Sequence, residues 1–105
     1  MAINVLPVGE LLGEAIASML DRCEQQQAAR ATEEATRGGV GTTSTWTSET
    51  RPGVTGSSVV TAQATNTPQG ECMTVTDIVI VDGQETRQPK RMCRRPPSNR
   101  YVRVT

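Results

Sequence analysis

Apolar positions recur every three or four residues across the first third of the chain. Val8, Leu11, Leu12, Ala15, Ile16, Met19, Leu20 and Cys23 form one stripe, with Glu10, Glu14, Ser18 and Arg22 between them. That spacing predicts an amphipathic helix from Val8 to Arg37. Pro7 suits its first turn, and Gly38-Gly39 supplies a stop. Beyond Cys23 the stripe thins to Ala28, Ala31 and Ala35, so this half is expected to pack lightly or stand in solvent. Gly9, Gly13 and Ala17 recur at four-residue intervals. Such a ridge permits close approach of a second helix or, on the plainer reading, close seating on the chain's own sheet. The expected partner-helix face is therefore Gly9, Leu12, Gly13, Ile16, Ala17, Met19, Leu20 and Cys23.

After Gly39 the period changes. "TTSTWTSE" and "SSVVTAQAT" are rich in β-branched residues, with the turn-forming "RPGVTG" between them, and read as two strands joined by a turn. Thr67-Pro68-Gln69-Gly70 breaks the chain again. The next segment, "CMTVTDIVIVDGQETRQPKRMC", carries Asp82-Gly83 at its midpoint and a cysteine at each end. Asp-Gly favours a two-residue hairpin turn of type I′, whose central positions both need positive φ. Pairing outward from Val81 opposite Gln84 brings Cys72 directly opposite Cys93 after nine steps. Bonded and non-bonded pairs alternate along an antiparallel ladder, and the cysteines fall on a non-bonded pair. The Cα atoms there approach to about 4.5 Å, within the reach of a disulfide. Pro89 also falls on a non-bonded pair, opposite Thr76, so it removes no hydrogen bond from the hairpin; its other side should be an open edge or a bulge. Two buried thiols facing each other without a bond are the plain alternative.

Composition shows why a staple matters. The 105 residues include one Trp, one Tyr and no Phe, so the large side chains that usually fill a core are missing. A disulfide, an oligomer or a larger partner must make up the difference. Closing a loop of about 22 residues is worth roughly 3 kcal/mol. The expected fold class is α+β: a long N-terminal helix (residues 1–39) beside a small, mainly antiparallel sheet of four or five strands (residues 40–105).

Persistent structural disulfides belong to oxidising compartments, which favours the bacterial periplasm or cell exterior. "MAINVLPVGE" lacks the cationic flank and apolar length of a signal peptide, so the expectation is a mature or trimmed form. Cys23 is most simply a small buried apolar residue; an intermolecular disulfide or a reactive thiol are the sharper readings.

The stretches "GELLGEAIASMLDR", "AARATEEATRGG", Trp46, "PGVTGSSV", Cys72, "VIVDGQ", "CRRP" and "YVRV" follow an order that resembles the bacterial 17 kDa surface-antigen family. These are small outer-membrane lipoproteins with a glycine-zipper region, and the likeness spans nearly the whole chain. It implies an envelope location and a cysteine-bounded hairpin, and it carries no defined activity. The chain departs from the family in having no lipobox cysteine near its start and a zipper reduced to Gly9 and Gly13. Tyr101 stands where the family has a tryptophan, and Pro89-Lys90 where Tyr-Gly is common.

Catalytic chemistry finds little footing. Histidine is absent, which removes the commonest general base and metal ligand. No Ser, Thr or Cys sits in a nucleophile motif, and "GGVG" lacks the Lys of a phosphate loop. The expectation is therefore a non-enzyme with no metal and no cofactor, its helical acids being ordinary solvated residues. The formal net charge is zero, but residues 84–105 hold seven bases against Glu85 alone. Arg87, Arg91, Arg94, Arg95 and Arg100 make a candidate patch for an anionic partner, with Lys90 pointing to the opposite face. Lipid headgroups, anionic glycan and acidic protein all fit; nucleic acid fits poorly with only Tyr101 nearby for stacking. Basic residues on an edge also serve simply to deter aggregation. These readings converge on a non-catalytic envelope protein that works through protein–protein contacts, as a homo-oligomer or an accessory subunit, with peripheral membrane association open to it. A periplasmic inhibitor or ligand-binding module is the alternative.

Overall fold

The computed structural model describes residues 5–104; residues 1–4, the start of the stretch read for a leader, lie outside them. Three helical segments precede five strands: α1 (Val8–Leu11), α2 (Glu14–Ala17), α3 (Arg22–Gly38), β1 (Thr43–Thr47), β2 (Thr55–Thr67), β3 (Gly70–Val81), β4 (Gln84–Arg94) and β5 (Val102–Arg103). The strands form one antiparallel sheet in the order β1-β2-β3-β4-β5. The architecture is a mostly-β meander with helices laid on one face.

The single long helix expected from the apolar stripe is not formed. The backbone is extended at Leu12 (φ −116°, ψ 141°) and Gly13 (φ −70°, ψ 156°), and again at Asp21 (φ −76°, ψ 175°). Two features explain the breaks. Asp21 N-caps α3 in a reciprocal capping box with Glu24: the Asp21 carboxylate accepts from Glu24 N at 2.8 Å, and Glu24 Oε1 accepts from Asp21 N at 2.9 Å. Extension at Leu12 also sends adjacent leucines to different places. Leu11 joins Ala29, Ala35, Val60, Met73, Val75 and Met92, whereas Leu12 joins Ile16, Leu20, Ala28, Trp46 and Val79. A continuous helix would hold them only about 100° apart on one stripe.

The alanines of α3 do not stand in solvent either. Ala28, Ala31 and Ala35, with Ala29, are buried, and their small size lets the helix lie close against β1, β2 and β3. Large side chains are scarce, so close approach takes their place.

The hairpin forms in the expected register, from Val81↔Gln84 through Cys72↔Cys93 to Glu71↔Arg94. Asp82 (φ 53°) and Gly83 (φ 78°) take the left-handed conformations that the turn needs. Cys72 and Cys93 are bonded, with their Cα atoms 4.1 Å apart. Pro89 faces Thr76 and an open edge, because β5 pairs only with Met92 and Cys93. The preceding connections are hairpins as well. β1 returns through the loop before β2, with Trp46 opposite Gly56; β2 returns to β3 through Thr67↔Gly70. A bulge between Val60 and Ala62 shifts the register of β2, which moves Ala62 and Ala64 to the face away from the helices.

Candidate functional site

The patch predicted from the basic C-terminal third divides in two. Arg87 lies on the outer face of β4 in an exposed ion pair with Glu85 at 2.8 Å. Arg94, Arg95 and Arg100 instead gather at the end of β4, around a cleft of about 460 Å³. Cys93, Val102 and Val104 give it an apolar lining; Gln69 and Ser98 add polar groups. Arg91 stands next to this group and donates from Nε to Gln69 Oε1 at 3.0 Å.

The cleft follows from local sequence. "RRPPSNR" cannot continue a ladder, because Pro96 and Pro97 have no N–H to donate. The chain loops out and returns as β5, which reseats on Cys93 and Met92. Two contacts hold the loop: Ser98 N donates to Arg95 O at 2.9 Å, and Arg94 Nη1 donates to Ser98 O at 3.1 Å. The Arg94 guanidinium also sits 5.8 Å from the centre of the Tyr101 ring, a cation–π distance. Arg100 reaches Glu33 Oε2 at 3.5 Å. Among the described residues no carboxylate lines the cleft itself. Guanidinium groups stay protonated at any physiological pH, so this arrangement can bind and orient an anion but cannot exchange protons.

The expected partner-helix face is not a face. Leu12, Ile16 and Leu20 are core residues at 2%, 1% and 7% exposure, turned onto the chain's own sheet. Gly9 is exposed; Gly13, Ala17, Met19 and Cys23 are half-buried. Gly9 and Gly13 meet nothing within 4 Å of an added Cβ, so neither mediates close packing here. Of the apolar stripe, Leu11, Leu12, Ile16 and Leu20 are core, Val8, Met19 and Cys23 are half-buried, and Ala15 is exposed. At Cys23, desolvation and the carboxylate of Glu49, whose Oε1 lies 3.6 Å from the sulfur, raise the thiol pKa.

Two buried ion pairs were not foreseen. Glu24, expected among solvated acids, is fully buried in the core of a knot. Arg51 Nη2 donates to Oε1 at 2.6 Å and Arg51 Nε to Oε2 at 2.9 Å, while Ser48 Oγ donates to Oε2 at 2.5 Å. The Arg51 guanidinium foremost, helped by Ser48 and the Asp21 N–H, holds the Glu24 carboxyl at about 2 against the cost of its burial. Its capping-box spacing, Asp21 to Glu24, is the signal that marks it. Lys90 and Asp77 form the second pair at 2.7 Å. Lys90 Nζ also donates to Leu11 O (2.6 Å) and Thr32 Oγ1 (2.8 Å), and Ser58 Oγ donates to Asp77 Oδ1 (2.7 Å). Burial pushes the Lys90 pKa down, opposed by Asp77. All three ammonium donors are engaged, so Lys90 tethers α1 and α3 to β4 and is not poised as a base.

No family model, curated protein or solved structure matches the chain. Among the described residues no cluster of three or more His, Cys, Asp or Glu side chains is placed to hold a metal, and no helix is long and apolar enough to cross a membrane.

Proposed function

We propose that this chain is a non-catalytic protein of the bacterial cell envelope that acts through contacts with another protein, and that the arginine cleft is where it engages an acidic partner surface. One observation carries the reading: Arg94, Arg95 and Arg100 converge on a cleft with no carboxylate among its described lining residues, beside a disulfide that fixes the strand they extend from. Guanidinium forks recognise carboxylates in a bidentate manner, and the apolar lining offers contact area for the side chains around them. The disulfide and the ordered resemblance to 17 kDa surface antigens support the envelope location, and with it the role of an accessory subunit.

The inhibitor reading draws on a separate feature. Residues 95–100 are exposed along their length, yet Ser98 is tied back to Arg94 and Arg95, and Arg100 N donates to Ser98 Oγ at 3.2 Å. An ordered, protruding loop is what insertion into an enzyme cleft requires.

Affinity capture from an envelope extract tests both readings. The native protein is expected to retain a specific partner that is lost from a variant carrying Arg94→Ala, Arg95→Ala and Arg100→Ala, and the capture should weaken steeply with salt. Recovery of the same partner by the triple variant would overturn the assignment of the cleft. Recovery of a hydrolase that loses activity on binding would select the inhibitor.

A further inference from the structure

Besides the outer sides of the terminal strands β1 and β5, the inner strands β2 and β4 are each left unpaired on one side for part of their length, and the chain treats these two stretches differently. On β4, the alternation set by Val81↔Gln84 turns the backbone of Glu85, Arg87 and Pro89 away from β3. Pro89 has no N–H to offer there, Glu85 and Arg87 flank it as an exposed ion pair, and β5 closes the far end. An edge so furnished resists strand addition.

The edge of β2 is furnished in the opposite way. β1 covers β2 as far as Val59, and Gly41 and Thr42 bond with Val60. From Thr61 to Thr65 no described residue pairs with the outer side of the strand. All five residues are exposed, and none is charged or a proline. The register fixes what they present. Met73 forms a bonded pair with Met92, so Gln63, opposite Met73 on the other side, turns its N–H and C=O outward. Strand alternation carries the same facing to Thr65, which begins the register shift between Ala64 and Thr67. Asn66, at φ 56°, then ends the regular edge.

We infer that this edge pairs with the same edge of a second copy, antiparallel about a two-fold axis at Ala64, which joins two five-stranded sheets into one of ten. The axis places Gln63 of each copy opposite Thr65 of the other. Both residues face outward, so each such pair exchanges two backbone hydrogen bonds, four in all. Ala64 meets Ala64 on the axis, where a larger side chain would crowd its counterpart. No charge opposes a like charge along the stretch, and the zero net charge leaves no long-range repulsion between copies. A contact of this length is smaller than a standard stable interface, so the dimer is a weak one that forms at high local concentration. It uses no residue of the arginine cleft, and its failure and that of the cleft reading are separately visible.

Sedimentation velocity on the native disulfide-bonded chain, from about 5 µM to about 1 mM, spans the range in which so small an interface assembles. The weight-average mass should rise from that of one chain toward that of two. Ala64→Lys sets two ammonium groups against each other on the axis, and Gln63→Pro removes an outward N–H without touching a β2–β3 bond. Each should weaken the dimer at least about tenfold, whereas Arg87→Ala on the other edge should leave it unchanged. Amide exchange at Gln63 and Thr65 should slow as concentration rises. A monomer at every concentration, or a dimer indifferent to Ala64→Lys, overturns the inference. Ala64→Lys, at an exposed position, decides the matter even if Gln63→Pro does not fold.

Discussion

Replacing Glu24 by Gln probes the knot that ties the start of α3 to the loop between β1 and β2. The substitution keeps the shape and removes the charge. It leaves Arg51 Nε and Nη2, Ser48 Oγ and the Asp21 N–H converging on an amide that can accept only at its oxygen. Breaking a buried ion pair from one side costs about 3–5 kcal/mol. The Arg51 side chain, however, is 40% exposed and can recover part of its hydration, which lowers the expected loss to about 2–3 kcal/mol. Urea unfolding monitored by circular dichroism measures it directly. The pH dependence gives a second reading of the same group. Its carboxyl is held at about 2 in the folded chain against 4.5 when free, so the folded state binds fewer protons between those values. Its contribution is complete above pH 4.5 and disappears as pH falls toward 2. The full displacement corresponds to ~3 kcal/mol at most, less after screening through Arg51. Glu24→Gln should therefore lose stability at pH 7 and show a flatter slope between pH 4.5 and 2. A variant within about 0.5 kcal/mol of the parent, the range of ordinary surface substitutions, with an unchanged acid slope, would refute the reasoning.

Two further outcomes follow from the sheet. Cys72→Ser together with Cys93→Ser should cost roughly 3 kcal/mol, a fall in Tm of about 10–20 °C for a chain of this size; an unchanged melting curve would remove the staple from the account. Gly56→Ala should cost about 1–3 kcal/mol by overpacking, because an added Cβ would fall within the indole of Trp46 across the strand pair; a calorimetric Tm equal to that of the parent would show that the indole shifts freely.

How much of this was readable beforehand differs from element to element. The β3–β4 hairpin was legible to the residue, because Asp82-Gly83 fixes a turn type, the turn fixes a register, and the two cysteines and Pro89 each test it independently. The helix was legible as a set of buried positions but not as a backbone. Leu12, Ile16 and Leu20 repeat every four residues whether the chain is one helix or two short turns joined by extended residues, and hydropathy does not distinguish the two. The break was written in the capping residues Asp21 and Glu24, a polar signal within an apolar pattern. Lys90 and Asp77 were least legible. Alternation puts both on the inner face, yet nothing local says that an ammonium and a carboxylate lying on neighbouring strands will be buried against Thr32 and Ser58. The bulge at Thr61 was equally hidden, since it changes the facing of Ala62 and Ala64 without changing their chemistry.

The cleft and the staple are physically one object. Cys93 bonds to Cys72, pairs with Val102 of β5 and lines the cleft. The position of Arg94 is set by the residue beside it on the strand, and that of Arg100 by the return of the loop onto β5. With so few large side chains in the core, the end of β4 has little besides this bond and the β5 contact to hold it: Met92 packs inward and Arg94 is half-buried, but Arg95, Pro96 and Pro97 are exposed. Loss of the disulfide would therefore loosen the three guanidinium groups relative to one another before it unfolded the sheet. Multidentate recognition depends on fixed spacing between donors. As the proposed binding surface, an arginine cleft built on a disulfide would keep its donor spacing best in a compartment in which that disulfide persists, which is the physical link between the location and the function proposed for it.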